Sequence, residues 1–239
     1  MLFPEVDKVN YKINCREIVT CRLQFPTIMK IDTDGPLSFK KIISDKYPKF
    51  STLDENKAFV FSSEDGKWKI NLTSNYISLS TNNYKDWENF RERLQIILKK
   101  FVDHYQLKLF NIISLNSVYK FIPSKLGLNG VSWNNLVNAG VLGVLASEDM
   151  RDNIENVENI CIIRLTNRNT VLKIGTKTTR MPKNEELSLI FDQDLSEIAD
   201  RGLDQLTGAL NHLSAGSSRM FRWGIKDQLH NAMKPEIIS

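Results

Sequence analysis

The chain has 239 residues, of which 41% are hydrophobic and 25% are charged, a balance typical of a folded globular protein and not of a disordered or fibrous one. The 32 Lys and Arg residues outnumber the 28 Asp and Glu residues, and the resulting net charge of +4 permits contact with nucleic acid or an acidic partner without requiring either. The sequence has no run of 18 apolar residues and no secretory-signal pattern at its start, so we expect a cytoplasmic protein without a membrane span.

The chain begins with strand and turn patterns. Residues 17–25 alternate apolar and polar side chains, which predicts a strand, and residues 37–47 have the spacing of a short amphipathic helix. Asp65-Gly66 lies between two alternating runs and predicts a β-hairpin, because both residue types accept the positive φ of a tight turn. A further short strand is predicted from Tyr76.

A long amphipathic helix is predicted next. From Tyr84 to Tyr105, aromatic and aliphatic residues recur every three or four positions, with Asn83 as a candidate N-cap. Residues 107–121 then return to a strand pattern. The first half is therefore predicted to have the order β-α-β-β-β-α-β.

Residues 124–159 separate the two halves of the sequence. They combine glycines with apolar residues and end in an acidic segment, and they lack the Lys-Ser/Thr of a P-loop and the Gly-x-Gly-x-x-Gly order of a dinucleotide-binding turn. We interpret them as a connector with a short helix near residues 133–138. The predicted division is an N-terminal α+β half (1–123), this connector, and a C-terminal part (160–239), with one continuous domain as the alternative.

A basic β-hairpin is predicted at the start of the C-terminal part. The 20 residues from Arg164 to Lys183 contain no acid, and a basic two-stranded ribbon suits contact with nucleic acid. No aromatic residue lies among them, and exposed strands often carry cations that block edge pairing, so a solvated or partner-facing ribbon is the alternative. The candidate nucleic-acid-binding residues are Arg164, Arg168, Lys173, Lys177 and Arg180.

An acidic group follows the next predicted strand, residues 185–191. Asp192 and Asp194 are two positions apart and could hold a divalent cation, which is the basis of a metal-dependent nuclease hypothesis. Asp194 followed by Glu197 also matches the start of a helix, and we favour this interpretation. We therefore predict no metal site, no catalytic residue and no cofactor.

Two helices in series are predicted at the C-terminus, separated by the small residues of segment 214–218. The second carries an apolar stripe at strict i+4 spacing, which suits docking to a partner protein. The candidate partner-binding residues are Phe221, Ile225, Leu229 and Met233. The predicted fold class is α+β, with antiparallel sheets and packed helices in two halves: the β-α-β-β-β-α-β half, then a β-hairpin, a strand and C-terminal helices.

Cysteine and histidine residues show no recognisable site pattern. Cys15, Cys21 and Cys161 contain no Cys-x-x-Cys pair and are odd in number, which argues against a disulfide scaffold. The three histidines, at positions 104, 212 and 230, form no metal-binding motif. The sequence thus gives no positive indication of an enzyme.

Several short segments carry a resemblance that spans most of the chain: Glu17-Ile-Val with Phe25-Pro26, Tyr47-Pro48, Tyr84-x-x-Trp87-x-x-Phe90, Leu189-Ile-Phe191-Asp192, Leu203-Asp-Gln-Leu206, and Phe221-x-x-x-Ile225 through to Met233. Together they resemble a family of uncharacterised prokaryotic proteins of similar length, sporadically distributed across bacteria and archaea. The family implies no known activity, and its distribution is similar to that of mobile defence and toxin–antitoxin genes.

The sequence therefore predicts a non-catalytic protein-binding subunit, and the resemblance implies a prokaryotic anti-phage defence or toxin–antitoxin system as its setting. Its expected partner is another protein encoded nearby, and a homo-oligomer is a further expectation. Nucleic-acid binding by the basic hairpin is the first alternative, and the metal-dependent nuclease is the second.

Overall fold

The structure, a computed structural model, describes residues 3–33, 36–53, 58–147, 149–150, 154–165, 169–180 and 186–237. The strands among them are β1 Val9–Tyr11, β2 Arg16–Gln24, β3 Lys49–Leu53, β4 Ala58–Ser62, β5 Trp68–Leu72, β6 Tyr76–Thr81, β7 Phe110–Phe121, β8 Glu158–Arg164, β9 Thr170–Arg180, β10 Leu187–Arg201 and β11 Pro235–Ile237. The α-helices are α1 Met29–Thr33, α2 Leu37–Ile43, α3 Trp87–Tyr105, α4 Trp133–Leu136, α5 Ala139–Leu142, α6 Leu206–Gly224 and α7 Asp227–Ala232.

Nine of these strands form one sheet in the order β3-β4-β5-β6-β2-β7-β10-β9-β8, and β1 pairs with β11. The predicted α+β class with antiparallel pairing and C-terminal helices is confirmed. The same order of elements occurs twice along the chain: a strand, short helices, further strands and a 19-residue helix. The long helix is α3 in the first occurrence and α6 in the second. None of the described helices is long and apolar enough to cross a membrane.

The chain divides into two compact units, each assembled from separate segments. We call the unit of Ile18–Asn116 and Ser196–Ser214 the meander unit, and the unit of Met1–Glu17, Ser117–Leu195 and Ala215–Ser239 the hairpin unit. Because neither is continuous in sequence, the units do not coincide with a linear division at residues 123 and 159.

The meander unit is built on the antiparallel strands β3 to β6, with α3 packed on one side. Gly66 has a φ of 69° between the antiparallel strands β4 and β5, so the predicted Asp65-Gly66 hairpin is confirmed. Helix α3 begins at Trp87 and not at Tyr84, because the carboxylate of Asp86 accepts a hydrogen bond of 2.7 Å from the Asn89 N–H and caps the helix there.

The hairpin unit has a core of stacked aromatic rings around Tyr119. The rings of Tyr119 and Phe221 lie 4.1 Å apart, centroid to centroid, and Phe191 lies 6.1 Å from Tyr119. The Tyr119 hydroxyl accepts hydrogen bonds from Arg16 Nε at 3.0 Å and Nη2 at 2.5 Å. A buried polar group is therefore satisfied inside an otherwise apolar cluster.

Two predictions for the C-terminal part are wrong. Helix α6 continues through the small residues at 214–218 without a break, because this segment packs closely: a side chain on Gly216 would lie 2.6 Å from Leu195 Cδ2, and Ser217 Oγ accepts a 2.6 Å hydrogen bond from Gln193 Nε2. Strand β10 continues to Arg201, so Asp194 lies within a strand and does not cap a helix.

Candidate functional site

The sheet of the meander unit has one face covered by α3 and one open face. On the covered face, Trp68 contacts Phe90 of α3 at a ring separation of 5.9 Å, and Phe25 contacts Phe101 at 5.1 Å. Because successive side chains of a strand point to opposite faces, the alternate residues of β2, β5 and β6 lie on the open face. In β2, for example, Arg22 is exposed while its neighbours are buried.

Arg22 and Tyr76 form a cation–π pair on this open face. The Arg22 guanidinium carbon lies 4.6 Å from the centre of the Tyr76 ring. Arg22 is opposite Ser78 and Tyr76 is opposite Gln24, so the two are diagonal neighbours across β2 and β6. The pair covers the centre of the face, where Ser78 is only 2% exposed, and holds the planar guanidinium beside solvent.

Around this pair, two rows of polar side chains cross three strands. Across β2, β6 and β5, one row consists of Thr20, Ser80 and Lys69. The other row consists of Arg22, Ser78 and Asn71. We call this surface the polar face; its residues are Thr20, Arg22, Gln24, Lys69, Asn71, Tyr76, Ser78 and Ser80. These eight include two cations and no carboxylate, so the face is electropositive and rich in hydrogen-bonding groups.

The predicted basic hairpin is formed by β8 and β9, but its cations are partly balanced by acids. Lys173 and Lys177 are exposed on either side of Gly175, and Arg164 is exposed on β8. Glu158 of β8 lies opposite Lys177 with a charge separation of 3.6 Å. Asp192 of β10 lies beside Gly175, because a Cβ added to Gly175 would be 3.3 Å from the Asp192 Cβ.

Cross-strand pairing therefore brings carboxylates to a segment whose sequence contains none. Arg168 lies outside the described residues, as does the side chain of Arg180, although its backbone belongs to β9.

The predicted partner-binding stripe is buried inside the hairpin unit. Phe221, Ile225, Leu229 and Met233 have exposed fractions of 4%, 3%, 0% and 1%. Phe221 stacks on Tyr119, and Ile225 forms a backbone bridge with Val137. The prediction of a docking surface is corrected here, because the apolar stripe is used for intramolecular packing.

The acidic residues of β10 do not converge. Asp192 and Asp194 are half-buried on one side of the strand, whereas Glu197 lies on the other side and accepts a hydrogen bond from Arg201 at 2.5 Å. No group of three or more potential metal-ligating side chains occurs among the residues that the structure describes.

Two half-buried histidines are hydrogen-bonded to hydroxyl groups. His230 Nδ1 is 2.8 Å from the Tyr11 hydroxyl, and His104 Nε2 is 2.9 Å from the Ser38 hydroxyl. Burial is the main cause that lowers the pKa of both imidazoles, with Arg222 adding to the effect on His230. Among the described residues, neither histidine is hydrogen-bonded to both a nucleophile and a carboxylate, as a catalytic triad would require.

Sequence reasoning did not single out the polar face. Its residues come from three strands, and each strand alone shows only the alternation expected of a half-exposed sheet. The Arg22–Tyr76 contact depends on the register between β2 and β6, which no local pattern encodes. The one available signal was that Glu17 is the single acidic residue in the sequences of β2, β5 and β6.

No protein-family model and no curated protein matches the chain. Among solved structures, the chain is similar to Methanococcus jannaschii TBP, with 11% sequence identity over 90% of this chain and 99% of that chain and a TM-score of 0.31. A TM-score this low carries no argument about fold or function.

Proposed function

We propose that this protein binds single-stranded nucleic acid through the polar face of the meander unit. The observation that carries the proposal is the exposed Arg22 guanidinium lying over Tyr76 on an open sheet surface whose eight named residues include no carboxylate. Unstacked bases are recognised in proteins by stacking on aromatic rings or on arginine planes. Only a single strand offers bases that are free to stack in this way.

The neighbouring side chains supply the other interactions that such a ligand needs. Lys69 is exposed one row from Arg22, so both cations can approach the phosphates of one strand. Asn71 and Gln24 offer amide donors and acceptors to base edges, and Ser80 and Thr20 offer hydroxyls. With one stacking platform and two cations, the expected binding is weak and depends strongly on salt.

This proposal replaces the basic hairpin as the nucleic-acid-binding surface. Lys177 is paired with Glu158, and Asp192 lies beside Gly175, which is midway between Lys173 and Lys177 in β9. An anionic ligand would meet repulsion there that the polar face does not offer.

The other predicted functions stay predictions. A protein-binding subunit, with a defence or toxin–antitoxin association, requires a docking surface other than the buried stripe at Phe221. The nuclease hypothesis predicts cleavage that requires Mg²⁺ and is lost in the double variant Asp192→Asn, Asp194→Asn.

The test is fluorescence anisotropy of the full chain with labelled single strands of about 20 nucleotides, compared with the matching duplex, over a series of salt concentrations. Each phosphate contact contributes about −0.7 to the slope of log affinity against log salt for single strands. We therefore expect Lys69→Ala to make the slope shallower by about 0.7. Arg22→Lys should keep the slope but lose stacking worth about 1–3 kcal/mol.

Lys99→Ala is the matched control, because Lys99 is exposed on α3, on the covered side of the same sheet. Equal effects of Lys99→Ala and Lys69→Ala would mean that binding follows diffuse positive charge and not the polar face. A larger effect of the double variant Lys173→Ala, Lys177→Ala would return the site to the hairpin. Absence of binding at low salt would remove the proposal.

A further inference from the structure

The strand β8 is an edge of the sheet with unusual composition. It is last in the strand order, and β9 is its one neighbour among the described strands. Ile160 and Ile162 are 60% and 69% exposed, and Cys161 between them is exposed as well. Edge strands usually avoid exposed apolar residues, because their unpaired backbone groups are a template for pairing with another chain.

The hydrogen bonds of the hairpin show which backbone groups of β8 face outward. The Leu165 N–H donates to the Thr170 carbonyl at 2.9 Å, and the Thr178 N–H donates to the Val157 carbonyl at 3.0 Å. Hydrogen-bonded pairs alternate along an antiparallel ladder, so the odd-numbered residues between these two positions bond to β9. The backbone groups of the even-numbered residues, 158 to 164, point away from β9.

We propose that β8 pairs with β8 of a second copy of this chain, antiparallel and centred on Cys161. In this register Glu158 lies opposite Arg164 of the second copy, and Ile160 lies opposite Ile162 of the second copy. All four of these residues have outward-pointing backbone groups, so they form the hydrogen-bonded pairs of the new ladder. The two-fold symmetry repeats every contact, as an isologous interface requires.

The pattern of the strand favours a second copy over an unrelated partner. Glu158 and Arg164 are at equal distances from Cys161, and so are Ile160 and Ile162, so the four residues with outward-pointing backbone groups are complementary to their own reversed order; Asn159 lies opposite Ile163. Shifting the centre by one residue would place Glu158 opposite Ile162, or Ile160 opposite Arg164, and would shorten the ladder. Opposite charges across the ladder and apolar pairs at its centre therefore select one register.

The same register brings two thiols together. Cys161 lies opposite Cys161 of the second copy as a non-hydrogen-bonded pair, for which the Cα atoms are about 4.5 Å apart. A disulfide spans Cα separations of about 4.4–6.8 Å, so the pair is within reach of oxidation. The pairing uses residues of the hairpin unit that the polar face does not include, and it stands independently of the proposed function.

The first test is sedimentation velocity of the full chain under reducing conditions as a function of concentration. One seven-residue ladder buries less than a standard interface of about 1,600 Å², so we expect a reversible dimer with a dissociation constant in the range of about 10–100 µM. Ile162→Lys should raise this constant at least about tenfold, since symmetry removes two apolar pairs and places a charge on each edge.

Ile237→Lys is the matched control, because Ile237 is 76% exposed in another strand of the same unit, and it should leave the dimer unchanged. A monomer at all concentrations up to about 1 mM would overturn the proposal, as would a dimer that withstands Ile162→Lys with its circular dichroism intact.

The second test reads the register directly. Diamide, which is reduced to its hydrazine as two thiols form a disulfide, should link two chains through Cys161. The other cysteines should not react: Cys21 is fully buried, and burial raises the pKa of Cys15 to about 11, so little thiolate is present near neutral pH.

Cys161→Ser should abolish the covalent dimer. The double variant Ile160→Cys, Cys161→Ser moves the thiol one residue, where its counterpart is a diagonal neighbour about 7–8 Å away and crosslinks poorly. Equal crosslinking in that variant would exclude the proposed register.

Discussion

Two tyrosine hydroxyls in this protein differ in whether a hydrogen-bond partner is present, and this difference predicts opposite effects of the same substitution. Tyr119 is 3% exposed, and its hydroxyl accepts two hydrogen bonds from Arg16 and one of 3.4 Å from Gln193. The Tyr105 hydroxyl is buried with no hydrogen-bond partner among the described residues, and burial raises its pKa to about 12.

Tyr119→Phe should destabilise the fold by about 1–3 kcal/mol, because it removes the Tyr119 oxygen as an acceptor for the half-buried Arg16 guanidinium while the ring stacking on Phe221 is retained. Tyr105→Phe should be neutral or stabilise by up to about 1 kcal/mol, because it removes a desolvated group that gains no bond. For a chain of this length, about 1 kcal/mol shifts Tm by about 2–4 °C.

The assay is thermal unfolding followed by far-ultraviolet circular dichroism at pH 7 under reducing conditions, with urea unfolding as a second measure. Arg16→Met is the companion variant, because once Arg16 is absent Tyr119→Phe should cost less than it does in the unmodified chain. Equal losses of Tm for Tyr105→Phe and Tyr119→Phe would show that hydrogen-bond satisfaction at these sites does not control stability.

Two further predictions concern helix packing and pH. Gly208 and Gly224 both lie in helix α6. A Cβ added to Gly208 would meet nothing within 4 Å, whereas a Cβ added to Gly224 would lie 2.9 Å from the buried Phe191 ring. We expect Gly208→Ala to raise Tm, because alanine has a higher helix propensity worth about 1 kcal/mol. We expect Gly224→Ala to lower Tm, because overpacking costs about 1–3 kcal/mol. A rise of Tm in both variants would contradict the packing argument. The lowered pKa values of His104 and His230 mean that the unfolded chain takes up protons more readily, so the stability that these histidines contribute should be present above about pH 6.5 and be lost as the pH falls below it. The difference between the urea midpoints at pH 7.5 and 5.5 should therefore become smaller in the double variant His104→Asn, His230→Asn. It should not become smaller in the control variant His212→Asn, because His212 is exposed. An unchanged pH dependence in the double variant would exclude this cause.

The elements predicted with most success are those with strong local signals. Asp65-Gly66 sets a turn by itself, and the alternating run that follows it forms strand β5, Trp68–Leu72. The apolar stripe of α3 needs no information beyond its own periodicity. Helix α1 and strand β3 were missed, since each has only five residues and few apolar side chains to show a period.

Strand β10 shows why local patterns fail. Its covered face includes Gln193 and Glu197, two polar residues that interrupt the apolar alternation. Gln193 is buried because Ser217 of α6 supplies its hydrogen bond, and Glu197 because Arg201 does. Both partners are defined only once the chain has folded, so the sequence around Asp194 was indistinguishable from a helix start.

The charge pattern follows the same logic and is the basis for preferring one of the two candidate nucleic-acid surfaces. A run of cations along one strand says little about the local potential, because the neighbouring strands lie about 4.7–4.9 Å away, well within the screening length of about 8–10 Å. The hairpin lysines therefore share their surroundings with Glu158 and Asp192. Arg22 and Lys69 are far apart in sequence and belong to no basic run, yet they share a face without a carboxylate among its eight residues. Their fields add where those of the hairpin partly cancel, and for this reason an anionic ligand should select the polar face.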